Sequence, residues 1–147
     1  MEAHRFDEAH LPVPPSPVRF TERELELAHQ LAALGIDWEP SPGMFVFDDG
    51  EHFFEPSPVQ PNVYVILNYH LFASAAGSVE NLRRVWTWLP SWEEGRAWLR
   101  RHGKSDAEVL DRIRERVVDA GVPDREALYE LMLATVRAGL EPSPVRK

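Results

Sequence analysis

The chain has 147 residues, of which 44% are apolar and 27% charged, and its formal net charge is −8. This is the composition of one ordinary globular domain. It contains no cysteine, which excludes disulfides, zinc–thiolate sites and thiol catalysis. No apolar run approaches the length of a membrane span, and the N-terminus lacks the basic and apolar regions of a secretory signal. We therefore predict a cytoplasmic protein with no membrane partner.

Proline marks the ends of the predicted elements. The tripeptide Pro-Ser-Pro occurs four times, starting at residues 15, 40, 56 and 142, without a common period. Because proline cannot donate a backbone hydrogen bond and disfavours helix in the residue before it, the tripeptide is typical of an element boundary. A proline-rich ligand for a partner domain is the alternative. We predict a flexible Pro-rich arm over 1–19, one α+β domain over 20–140 and a flexible tail over 141–147.

The first half of the domain begins with a helix. Thr21 and Glu24 form a capping-box pattern, and Gly35 follows the apolar stripe as a C-terminal signal. Two β-prone runs within 43–55 flank Asp49-Gly50, which is typical of a tight hairpin turn. The run Asn62–Asn68 is apolar on both alternating faces, which predicts a strand covered by helices or by another subunit.

The second half is mainly helical. We predict short helices over 69–76 and 78–84, and a strand over 85–89 closed by Pro90. Ser91, Ser105 and Asp124 are the cap residues of three further helices. The element order predicts an α+β fold, in which a small, mainly antiparallel sheet (a β-hairpin plus two further strands) packs with an N-terminal helix and a three-helix C-terminal half.

Motifs that identify an enzyme are missing from this sequence. It has no glycine-rich phosphate loop, no Gly-x-Ser-x-Gly elbow and no His-Glu-x-x-His. No spacing brings together the ligands that a metal needs, so neither a metal nor a cofactor is predicted. One enzymatic alternative stays open, a pocket lined by His52, Tyr69 and His70.

The segment 83–104 combines arginine with tryptophan in the one net-basic part of the chain, since 61–104 carries 6 bases and 3 acids. Guanidinium groups bind phosphates and aromatic rings stack on bases, as in single-strand binding. Packing of the tryptophans in the core beneath a solvated arginine face explains the same pattern. The binding candidates are Arg83, Arg84, Trp86, Trp88, Arg100 and Arg101.

These observations favour a non-catalytic interaction or regulatory module. The two-sided apolar strand, an apolar helix over 125–138 and the proline-rich ends predict a homodimer. An unidentified protein partner is a further possibility. The alternatives are a binder of nucleic acid or another anionic ligand at 83–104, and the enzyme with a pocket near His52 and His70.

Overall fold

A computed structural model of the chain describes residues 19–49, 57 and 60–140, and the side chain of Val79 is outside this description. The predicted arm apart from Arg19, the tail and the second run of the predicted hairpin lie outside the described residues. The elements, in chain order, are α1 (Glu22–Ala33), β1 (Phe45–Phe47), β2 (Val63–Val65), α2 (Tyr69–Ala76), α3 (Val79–Val85), β3 (Thr87–Leu89), α4 (Trp92–Arg101), α5 (Asp106–Arg114), a π-helical turn (Glu115–Asp119) and α6 (Asp124–Leu140). The α+β class predicted from the sequence is confirmed.

The three capping boxes predicted from the sequence are confirmed by their hydrogen bonds, whereas Asp124, predicted as a cap residue, is the first residue of α6. Thr21 Oγ1 accepts from the Glu24 N–H at 3.0 Å, while a Glu24 carboxylate oxygen accepts from the Thr21 N–H at 2.8 Å. The same reciprocal pair opens α4 and α5. These contacts satisfy backbone donors that have no partner within the helix.

The described sheet has three antiparallel strands in the order β2–β1–β3. The first run of the predicted hairpin is β1, and both of its edges are occupied, with Phe45 opposite Val65 on one side and Leu89 on the other. The strand predicted over 85–89 is shorter, because α3 continues through Val85. The Pro-Ser-Pro copy at 40–42 lies between α1 and β1, as its interpretation as a boundary predicts.

Helix α6 is the centre of the helical part. It packs against α1, α4, α5 and the π-helical turn. Six of the seven residues from 127 to 133 are buried: Ala127, Leu128, Tyr129, Leu131, Met132 and Leu133. Its apolar circumference is therefore accounted for by packing within one chain. None of the helices that the structure describes is both long and apolar enough to cross a bilayer.

Two contacts fix α6 to its neighbours. The Tyr129 hydroxyl donates to the Pro90 carbonyl at 2.5 Å, and burial raises the pKa of this phenol well above its usual range, so that it remains a donor. Arg125 pairs with Glu24 of α1 through two bonds of 3.0 and 3.1 Å. The side chains of this pair are only 12% and 3% exposed, and the guanidinium also lies 4.1 Å from the Phe20 ring centre.

Substitution of Gly95 tests the close approach of α4 to α6. A Cβ atom at this position would lie 2.6 Å from Leu128 Cδ2 and 3.2 Å from Met132 Sδ, and both side chains are fully buried. We expect Gly95→Ala to lower the free energy of unfolding by about 1–2 kcal/mol, despite the better helix propensity of alanine. Gly139→Ala is the matched control, because a Cβ there meets no atom within 4 Å. Urea unfolding that shows equal stability changes in both variants would contradict this packing.

Replacement of Arg125 tests the buried ion pair. We expect Arg125→Met to cost about 3–5 kcal/mol, because it leaves the Glu24 carboxylate buried without its counter-charge. The double variant Arg125→Met/Glu24→Gln should recover much of that loss, since glutamine retains the capping role. Arg114→Met removes an exposed pair with Asp111 and should change stability by less than about 1 kcal/mol. A loss for Arg125→Met as small as that of Arg114→Met in urea unfolding would exclude the proposed role of the pair.

Candidate functional site

A cleft of about 550 Å³ opens between the loop that joins α1 to β1 and the elements α3, β3 and α4. This volume is in the range of small-molecule and peptide sites. Five charged side chains line it, three acidic and two basic: Asp37, Glu39, Glu94, Arg83 and Arg101. The cleft therefore offers charges of both signs within one concave surface.

Two stacked tryptophans form the apolar wall of the cleft. The rings of Trp38 and Trp88 are nearly parallel, at 5°, with their centres 5.7 Å apart, and both residues are buried. The Trp88 indole N–H donates to Glu94 Oε1 at 3.4 Å, and an Arg83 N–H donates to the Trp38 carbonyl at 3.2 Å. The wall is thus tied to a charged group on each side, which gives the cleft a fixed geometry.

Asp37 anchors the α1–β1 loop to α4. The Trp98 indole N–H donates to both the carbonyl and Oδ1 of Asp37, each at 3.1 Å. His102 Nε2 lies 3.3 Å from the same carboxylate oxygen, and the His102 ring stacks on Trp98 with 3.9 Å between centres. Because Trp98 is buried in the core, the loop that carries Trp38 and Glu39 is held by a buried side chain of α4.

The structure separates the six binding candidates predicted from the sequence. Arg83, Trp88 and Arg101 line the cleft. Trp86 is buried, with its ring 5.2 Å from that of Phe72. Arg84 is exposed outside the cleft. The burial of both tryptophans agrees with their packing in the core.

Arg100 points to a different partner. It lies 3.4 Å from Asp106, which Arg96 also contacts at 3.1 Å. Although desolvation acts in the opposite direction, the charges of Arg100 and Arg96 lower the pKa of Asp106. The Arg100 charge is therefore partly compensated at the junction of α4 and α5, away from the cleft.

The structure describes two of the three residues of the predicted enzyme pocket. His52 lies outside the described residues. Tyr69 and His70 are neighbours at the start of α2, with ring centres 6.3 Å apart, and neither lines the cleft. In the part of the chain that the structure describes, no three histidine, aspartate or glutamate side chains are grouped so as to hold a metal ion.

Sequence reasoning missed the contribution of the α1–β1 loop. Asp37, Trp38, Glu39, Ser41 and Met44 all line the cleft, yet none was predicted as a site residue. The tryptophan between two acids in this loop could have indicated a binding site, because binding residues are found disproportionately on loops. The hydrogen-bond partners of Trp38 and Asp37 are 45 and 61 positions away in the chain. No local sequence pattern specifies such contacts.

Comparison of the chain with protein-family models, curated proteins and solved structures gives no match. The chemistry of the cleft is therefore inferred from its own residues.

Proposed function

We propose that this protein is a non-catalytic interaction module, and that its cleft binds a segment of a partner protein carrying both an acidic and a basic side chain. The observation that carries the proposal is that Arg83 and Arg101 line the same cleft as three carboxylates and the two stacked tryptophans. Complementary charge of both signs gives specificity and orientation to a bound peptide.

Two of these charges are open to a ligand. Arg101 and Glu39 are exposed, and neither forms an ion pair with another residue in the described ranges. Arg83, by contrast, is partly oriented by the Trp38 carbonyl. A peptide can therefore pair with Arg101 and Glu39 without breaking an existing ion pair, which reduces the cost of binding.

A strand of nucleic acid fits the cleft less well. Its phosphates carry charge of one sign only, and the three carboxylates that line the cleft would repel them. The buried Trp86 and Trp88 also do not present free ring faces on which bases stack. A segment of mixed charge meets neither difficulty, which favours a protein partner.

Selection from a random peptide library tests this function. We expect peptides with an acidic and a basic residue to be enriched on the wild-type protein, and Arg101→Glu to remove the preference for the acidic residue. Glu39→Arg should remove the preference for the basic residue, because each of the two positions selects peptide side chains of one charge. Isothermal titration of a selected peptide should show about 5-fold or greater weakening in Arg101→Gln.

Arg84→Gln is the matched control, because Arg84 is an exposed arginine on α3 that does not line the cleft. It should leave peptide affinity unchanged. The proposal fails if no peptide is enriched, or if enriched peptides bind Arg101→Gln as tightly as the wild type. Enrichment of purely acidic peptides would instead support the anionic-ligand alternative.

The homodimer is retained as a second part of the proposal, with a different surface as its support. Leu67, just before α2, and Leu71, in its first turn, are 79% and 55% exposed, and the proposed dimer buries them in one apolar contact patch. We expect light scattering to give twice the monomer mass, and Leu67→Glu/Leu71→Glu to give the monomer. Leu110→Glu, at a 52% exposed leucine of α5, should remain dimeric. A monomeric wild-type protein at micromolar concentration would contradict the dimer.

A further inference from the structure

A second concave surface, separate from the cleft, lies along the C-terminal half of α6. This groove has a volume of about 550 Å³ and runs between α6, α5 and the turn that joins α4 to α5. Three side chains that carry nitrogen groups line it: His102, Lys104 and Arg112. Leu131, Ala134 and Ala138 of α6 form an apolar floor.

The charge of the groove is of one sign. Of the described residues that line it, none carries a carboxylate, although the chain as a whole has a net charge of −8 and the cleft is lined by three acids. A local cluster of cations in an acidic protein attracts anions to that place alone.

The cations are held near one another by the backbone and by one neighbouring acid. The Lys104 N–H donates to the Leu99 carbonyl at 2.9 Å, which fixes the turn after α4. Glu108 lies one helical turn before Arg112 and outside the groove lining. Its pKa is lowered chiefly by the hydrogen bond from the Ser105 N–H and, against the effect of desolvation, by the charges of Lys104 and Arg112. Two acids outside the groove lining therefore compete with an anion there: Glu108, beside Lys104 and Arg112, and Asp37, which lies 3.3 Å from His102.

The floor is suited to a hydrocarbon chain. Leu131 is 6% exposed and belongs to the core, while the small side chains of Ala134 and Ala138 are exposed and leave the groove open. The Thr135 hydroxyl donates to the Leu131 carbonyl of its own helix at 2.8 Å, so it does not donate a hydrogen bond to a ligand in the groove. The floor thus offers apolar contact, and the polar contacts are concentrated at the cations.

We propose that this groove is a binding site for a small amphiphilic anion, whose acidic head lies between Lys104 and Arg112 and whose alkyl chain lies along α6 on Ala134 and Ala138. The charge and the apolar floor together select a molecule with both parts. A short-chain carboxylate lacks the apolar part of such a ligand, and a neutral alcohol lacks its acidic head.

Titration of the full chain with octanoate, followed by two-dimensional amide NMR, tests the proposal. Saturable shifts are expected at the amides of Lys104, Arg112 and Ala138. Acetate and 1-octanol, which each carry one half of the ligand, should bind at least about 10-fold more weakly than octanoate. Added salt should weaken octanoate binding, because the head is held by exposed cations.

Charge variants separate this site from unspecific binding. Lys104→Gln/Arg112→Gln should weaken the affinity for octanoate about 10-fold, because it removes two charge contacts that are each of modest strength near the surface. Glu108→Gln should tighten it, since it removes one competing acid and keeps a capping residue at the same position. Arg114→Gln is the control, because Arg114 is on the same helix and pairs with Asp111 outside the groove. It should not change the affinity.

Three results would overturn the proposal. The first is that octanoate shifts no groove amide, and the second is that it binds the double variant as tightly as the wild type. The third is that the same amides shift with protein concentration alone, which would identify the groove as a contact between two copies of the chain. Because all these variants change exposed or partly exposed side chains, circular dichroism should show them folded.

Discussion

Burial of α6 is the constraint on which the rest of the molecule depends. Its apolar side chains cover most of its circumference, so it can be buried only if other elements surround it. Helices α1, α4 and α5 do this. The approach of α4 is permitted by Gly95, where any larger residue would meet Leu128. The pair of Arg125 and Glu24 adds a directional contact to α1, so the helices are fixed in orientation as well as in proximity.

The packing of α4 against α6 also positions residues at both candidate binding surfaces. Glu94 and Arg101 of α4 line the cleft, and His102, the residue directly after α4, lines the groove. His102 also lies 3.3 Å from Asp37, a cleft residue, so one side chain contacts both surfaces.

The two surfaces differ in the ligand that their charges favour. The cleft joins acids and bases around a rigid aromatic wall, a combination suited to a polypeptide segment with both charges. The groove joins bases with an apolar floor and suits a molecule with one acidic head. The three carboxylates that line the cleft disfavour binding along a nucleic-acid strand, whose phosphates are all negative.

The sequence by itself determined the local structure, because local structure depends on residues close together in the chain. The three capping boxes, the glycines that follow α1 and α2, and the α+β class were all predicted from short patterns and are present. The π-helical turn at the end of α5 was not predicted. Only the tertiary structure decided that Arg83 and Arg101 share a cleft while Arg84 and Arg100 do not. That outcome depends on which face of each helix is buried and on contacts such as Asp37 with Trp98, 61 positions apart, which arise from packing of the whole chain and not from neighbouring residues.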